Sequence, residues 1–193
     1  MNFMGRSAVS LIPNTRVAPA GPMYEGCMRY QMHQKLFCLG DDFAVKDEQG
    51  REAFYVDGKV FTLRKTLSFL DAERNEVARI VKRLISIGPV YDVYSGGRLM
   101  ATVSKKLFTL FRCKFSIDVP GPDDLEAVGS FIDHDYRFER GGRTVAWVSK
   151  KWFRLTDTYG VEVTDGVDPI LILASTAVID LCCHEEHEGQ EDD

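Results

Sequence analysis

Asp168–Cys183 reads DPILILASTAVIDLCC, and this stretch decides the fold. Asp168 suits a helix N-cap, because its carboxylate can accept from the orphan N–H groups of the first turn. Pro169 follows at the first helical position, where its missing N–H costs nothing. From Ile170 to Leu181 only Ser175, Thr176 and Asp180 are polar. Ile170, Leu171, Ile172, Leu173, Val178, Ile179 and Leu181 spread over every side of such a helix. A helix that is apolar all round must be buried all round. A bilayer span needs ~20 apolar residues, and this run is shorter. Something upstream must wrap a central helix over 169–182.

The wrapper is legible as strands. Period-2 and β-rich runs occur at Lys35–Leu39, Phe43–Lys46, Ala53–Val56, Val60–Leu63, Val77–Val81 and Val90–Tyr94. They continue at Leu99–Val103, Phe115–Val119, Ala127–Ile132, Tyr136–Glu139, Thr144–Val148 and Tyr159–Val163. Turn-forming pairs separate them, including Asp41-Asp42, Gln49-Gly50, Arg74-Asn75, Gly96-Gly97, Gly141-Gly142 and Asp165-Gly166. Asp57-Gly58, between Tyr55-Val56 and Val60-Phe61, is the strongest hairpin signal, since both residues tolerate positive φ. Regular short strands with frequent turns predict a sandwich or a barrel. A barrel fits better, because a closed sheet can hold one apolar helix in its lumen.

An internal repeat organises these strands. GRLMATVSKKLFTL (Gly97–Leu110) aligns without gaps on GRTVAWVSKKWFRL (Gly142–Leu155). A fainter copy, VARIVKRLISI (Val77–Ile87), aligns on Met100–Leu110 and keeps Ala78, Lys82 and Leu84. LRKTL at Leu63–Leu67 is fainter still. Each unit is a strand, a basic pair and the start of the next strand. Units an even number of strands apart would place Lys82-Arg83, Lys105-Lys106, Lys150-Lys151 and Arg64-Lys65 on one barrel rim. These eight residues are the candidate anion-binding or lipid-binding set.

Composition sets the outer limits. The 193 residues fit one domain. The formal charge of −5 is concentrated in an acidic tail, and removing its six acids from Glu185 onward leaves +1. A near-neutral body argues against nucleic-acid binding. Five cysteines, an odd number with no C-x-x-C, suit free thiols in a reducing compartment. Residues 1–27 are expected to form a disordered leader without a secretory h-region, and 184–193 a disordered acidic tail. The expected location is cytoplasmic, peripheral to the membrane where the rim engages it, and no transmembrane span is expected.

Catalytic motifs are sparse. His184-Glu185-Glu186-His187 lacks the i, i+4 histidine spacing of a zincin. Cys182, Cys183, His184 and His187 include good ligands for Zn²⁺ or copper, but the expected reading is a frayed helix end, so no metal and no cofactor are assigned. Asp133-His134-Asp135 is expected to be a polar turn edge, with the aspartates opposite the histidine. Cys27 and Cys113 lack a His-Asn partner pattern, and both are expected to be inert thiols, even with Lys114 beside Cys113. Trp147, Trp152 and Phe153, beside Lys150-Lys151, are expected to pack on the central helix, as is the equivalent Phe108. No enzymatic activity is expected, because no nucleophile–base pair is legible.

Three segments carry a family resemblance. They are GDDFAVKDEQGREAFYVDGKVFTLRKTLSFLDAERNEVARI, DDLEAVGSFIDHDYRFERGGRTVAWVSKKWFRLTDTYGVEV and DPILILASTAVID. Together they resemble the LURP-one-related (LOR) family, a branch of the tubby C-terminal-like and phospholipid-scramblase-like superfamily, over about Met28 to Leu181. The most specific pieces are Ser149–Val163 and the C-terminal helix. The resemblance implies a mainly β fold, a twelve-stranded antiparallel closed barrel threaded by the helix. One local departure is Ile87-Gly88-Pro89-Val90, where the resemblance implies a charged, uninterrupted turn. The wider relatives include the phosphoinositide-binding tubby domains and the phospholipid scramblases, and no lipid-site motif of tubby matches this chain residue by residue. The expected function is therefore non-enzymatic binding or scaffolding through the basic rim, with anionic phospholipid headgroups or an acidic protein as partner. The alternative is a lipid-handling, scramblase-like or enzymatic activity in a cleft of the barrel.

Overall fold

A computed structural model describes residues 26–33, 43–59, 66–106, 114–152 and 158–188, without the side chains of 33, 58–59, 152 and 184–188. Twelve strands run in sequence order: β1 (Cys27–His33), β2 (Phe43–Asp47), β3 (Glu52–Lys59), β4 (Thr66–Leu70), β5 (Glu76–Lys82) and β6 (Val90–Ser95). They continue as β7 (Arg98–Lys106), β8 (Lys114–Asp118), β9 (Leu125–Ser130), β10 (Asp135–Arg140), β11 (Arg143–Ser149) and β12 (Thr158–Thr164). Each strand pairs antiparallel with the next, and β1 pairs with β12 to close the barrel. Closure removes the sheet edges that an open meander would expose.

The helix α1 (Pro169–Glu188) fills the lumen. Asp168 caps it as expected: its Oδ1 accepts from Ile170 N at 2.9 Å. Leu171 to Cys182 are all buried, including Ser175, Thr176 and Asp180. The helical backbone continues past the expected end at 182 as far as Glu188.

The wall shows the period-2 alternation of a one-sided sheet. In β7 Ala101 and Val103 are buried, and in β11 Ala146 and Val148 are. The alanines common to the three repeat copies, Ala78, Ala101 and Ala146, all face the lumen. A small side chain there lets the wall approach the helix without overpacking. Gly96 and Gly97 (φ 55° and 76°) and Gly141 and Gly142 (φ 55° and 79°) make two-residue turns with both residues left-handed, the geometry that continues the strand twist.

Some expectations are corrected. Asp57-Gly58 is not a hairpin turn. β3 runs through it, with Asp57 opposite Ser68 and Gly58 opposite Leu67 on β4. The long-range ladder to β4 overrides the local turn preference of the pair. The expected strand at Val60–Leu63 lies outside the described residues, as does Lys35–Leu39. Two strands absent from the sequence reading, β1 and β4, are present. Trp147 does not pack on the helix. Its neighbours Ala146 and Val148 face the lumen, so Trp147 faces outward. Phe108 and Phe153 lie outside the described residues.

Candidate binding rim and the polar cluster beneath it

In an antiparallel barrel all odd-numbered strands point the same way, so their C-terminal ends share one rim. Lys82 ends β5, Lys105-Lys106 end β7, and Lys150-Lys151 follow β11 in a short 3₁₀ turn, Lys150–Trp152. The topology therefore brings these pairs to one end of the barrel. Arg64 and Lys65 lie outside the described residues.

Spacing divides the set. β5 and β7 are two strand spacings apart, roughly 10 Å. β11 stands four spacings from β7, roughly 20 Å along the wall. Fields of exposed charges add only within the screening length, about 8–10 Å. Lys82, Arg83, Lys105 and Lys106 thus act as one cationic sector, with Lys150 and Lys151 as a second, separate point.

Ion pairing trims both sectors. Arg83 grips Asp92 with two hydrogen bonds of 2.7 Å, and Thr102 Oγ1 donates to the same carboxylate at 2.8 Å. Burial works to raise the Asp92 pKa, but the Arg83 and Thr102 hydrogen bonds and the Arg83 charge outweigh it and hold the carboxyl below its usual range. Lys106 and Lys114 share Glu126, at 2.8 and 3.4 Å. Lys151 pairs with Asp135 at 2.6 Å. The Lys82 ammonium stands 5.7 Å from the Tyr91 ring centroid, a cation–π geometry. Asp92 and Glu126 thus offset part of the charge that Arg83, Lys106 and Lys114 carry around β5–β9.

Under the same rim lies a polar cluster that sequence reasoning missed. The Asp180 carboxylate accepts a 2.5 Å hydrogen bond from the Tyr159 hydroxyl, and His134 Nε2 stands 3.3 Å from its other oxygen. The His134 and Tyr159 rings stack at 4.5 Å between centroids. His134 does sit in a turn, with φ 48°, and Asp133 and Asp135 are exposed on the other side. The histidine itself, however, is buried in the lumen instead of lying at a polar edge. Its carbonyl accepts from Lys150 N at 3.0 Å, which ties the turn to the basic 3₁₀ segment. Asp180, the lone acid in the apolar stretch Ile170–Cys183, was the available sequence signal. Its partners come from β12 and the β9–β10 turn, far away in the chain.

Cys182 is buried and Cys183 half-buried, while the side chains of His184 and His187 lie outside those described. Among the described residues no group of three or more His, Cys, Asp or Glu is arranged to hold a metal ion. Partial burial and then Glu162 push the Cys27 thiol above its usual pKa. A shallow groove of about 510 Å³ runs along Glu76–Arg79, Tyr94 and Gly96-Gly97, toward the rim opposite the lysines. No helix among the described residues is long and apolar enough to cross a membrane.

Comparison with known proteins agrees with the architecture. Over 157 residues the chain is 27% identical to the Uncharacterized protein YxjI of Bacillus subtilis (strain 168), covering 81% of this chain and 94% of that one. An X-ray structure of a protein from Arabidopsis thaliana superposes with a TM-score of 0.61 at 19% identity, covering 80% of this chain and 90% of that one. That likeness speaks for the fold alone. The LURP-one-related (LOR) profile matches residues 28–180, nearly the whole barrel and its helix, and the chain belongs to that family.

Proposed function

We propose that this barrel is a non-enzymatic binding protein whose basic rim docks on an anionic phospholipid surface. The observation that carries the reading is the gathering of Lys82-Arg83, Lys105-Lys106 and Lys150-Lys151 at the same ends of β5, β7 and β11. Near an anionic leaflet each basic residue contributes ~1 kcal/mol, so a trimmed set of this size supports weak, salt-sensitive attachment. The titratable groups of the lumen, His134, Tyr159 and Asp180, are walled off by the strands, which favours a scaffold over a reaction site. The groove at Glu76–Gly97 offers an ion pair, Glu76 with Arg79, in place of a nucleophile and base.

The test is pelleting with phosphatidylserine-containing vesicles at low and high salt. It compares the full chain with a Lys105→Glu/Lys106→Glu/Lys150→Glu/Lys151→Glu variant. The full chain is expected to pellet at low salt and largely release at high salt, and the variant to stay in solution. Equal, salt-independent pelleting by both, or none by either, overturns the reading.

A further inference from the structure

The two ends of the barrel differ in more than charge. The connections at the end away from the lysines carry turn residues, such as Glu48–Arg51, Asp71–Asn75, Gly96-Gly97 and Gly141-Gly142. At the lysine end, 83–89 and 131–134 are described in full. The β5–β6 connection reads Arg83-Leu84-Ile85-Ser86-Ile87-Gly88-Pro89. In it Leu84 is 57% exposed, Ile85 97% and Ile87 91%. At the tip of the β9–β10 turn Ile132 is 66% exposed. The other exposed large apolar side chains among the described residues, Met28 and Leu99, are less exposed and sit near the starts of β1 and β7, toward the opposite end.

The β5–β6 connection is tied by its own hydrogen bonds. Arg83 N donates to Val90 O at 2.9 Å across its base, and Ser86 Oγ donates to Gly88 O at 2.7 Å near its tip. Gly88, at φ 81°, supplies the left-handed residue that lets the chain turn back into β6. The isoleucines are thus held outward by backbone geometry, with no part of the described fold covering them. Three aliphatic side chains on one tip, held in water, mark an interaction site.

Resting on the reading of the rim as a lipid surface, we infer that Leu84, Ile85 and Ile87 form a prong that inserts at the headgroup–acyl boundary of an anionic bilayer. Charge complementarity selects this occupant. Lys82 borders the prong on β5, and Lys105 and Lys106 border it on β7, the strand that pairs with β6 where the connection ends. Aliphatic tips ringed by lysines match a bilayer interface, where apolar groups enter and cations stay with the phosphates. Ile132 gives a second apolar point beside Lys150-Lys151, so the barrel would stand end-on with α1 along the membrane normal.

Salt separates the prong from the lysines. Screening weakens the charge–headgroup attraction, while apolar burial persists at high salt. The experiment uses the full chain, an Ile85→Ser/Ile87→Ser variant and a Lys105→Glu/Lys106→Glu variant. The probes are vesicles of phosphatidylcholine with phosphatidylserine, and of phosphatidylcholine alone. Melting temperatures confirm folding, and the double serine variant should match the wild type because both isoleucines are already solvated. The wild type is expected to retain a bound fraction on anionic vesicles at high salt. The serine variant should lose that fraction and need about tenfold more lipid at low salt, and the glutamate variant should lose the low-salt gain. Identical curves for wild type and serine variant overturn the prong and leave the rim reading standing. No vesicle binding by the wild type overturns both. If the wild type instead sediments as an oligomer that the serine variant dissolves, the prong is a protein contact and the inference fails.

Discussion

The Tyr159 hydroxyl donates to Asp180 Oδ2 at 2.5 Å inside the barrel lumen, joining the first residues of β12 to the far end of the central helix. A carboxylate buried this way needs its donors, because an uncompensated charge in a low-dielectric interior is costly. Tyr136, two strands away on β10, is the contrast. Its hydroxyl is buried beside the neutral Thr176 hydroxyl, outside strict hydrogen-bond geometry, and makes no hydrogen bond to a carboxylate. Tyr159→Phe should therefore destabilise the fold by about 1.5–3 kcal/mol, the range for a hydrogen bond to a charged group. Tyr136→Phe should be neutral or mildly stabilising. Thermal melts of the two variants side by side decide this, and equal losses would mean that the Asp180 contact carries no special weight.

The same two tyrosines predict an alkaline limit. Burial, and next the Asp180 charge, push both pKa values well above the usual 10. Their stabilising contribution is complete below pH ~10, the unfolded pKa. Above it the unfolded chain releases protons that the folded chain keeps, so stability falls by about 1.4 kcal/mol per pH unit for each tyrosine. Denaturant midpoints measured from neutral pH upward should be set by other groups until pH ~10 and then drop. In Tyr136→Phe that drop should be shallower than in the wild type, with the remaining slope shared by Tyr159, Tyr30, Tyr55 and Lys151, which are raised as well.

Arg29 and Glu162 stand opposite each other on β1 and β12, the seam that closes the barrel, with a 2.9 Å ion pair between them. Glu162 is almost fully buried and Arg29 about one-third exposed. Removing the cation strands the carboxylate, so Arg29→Met should cost roughly 2–3 kcal/mol. Adding Glu162→Gln should restore much of it. A double-mutant cycle in urea reads the coupling. Additive losses would show that the pair does not help hold the seam.

The helix enters the lumen after β12 and leaves it at the lysine rim, where Asp180 meets His134. The acidic segment after Cys183 therefore begins beside the cations it can neutralise. Deleting 185–193 should strengthen pelleting with anionic vesicles at low salt by several-fold, and high salt should abolish the difference. Unchanged or weaker binding by the truncated chain would remove the tail as a competitor.

Local patterns in the chain sufficed for the helix, its Asp168 cap, the barrel class and the glycine turns, because each rests on near neighbours in sequence. The repeat placed three basic pairs on one rim, since strand parity alone decides which end a residue reaches. Other features depended on residues brought from far apart. β3 runs straight through Asp57-Gly58 because its hydrogen-bonded ladder to β4 outweighs a two-residue turn preference. The His134–Asp180–Tyr159 cluster needs a turn, a helix and a strand that meet only when the barrel closes around the helix. Exposure, too, belongs to the folded state. LISI at Leu84–Ile87 has the apolar composition of a core segment, and only the place where β5 ends turns it outward among the lysines.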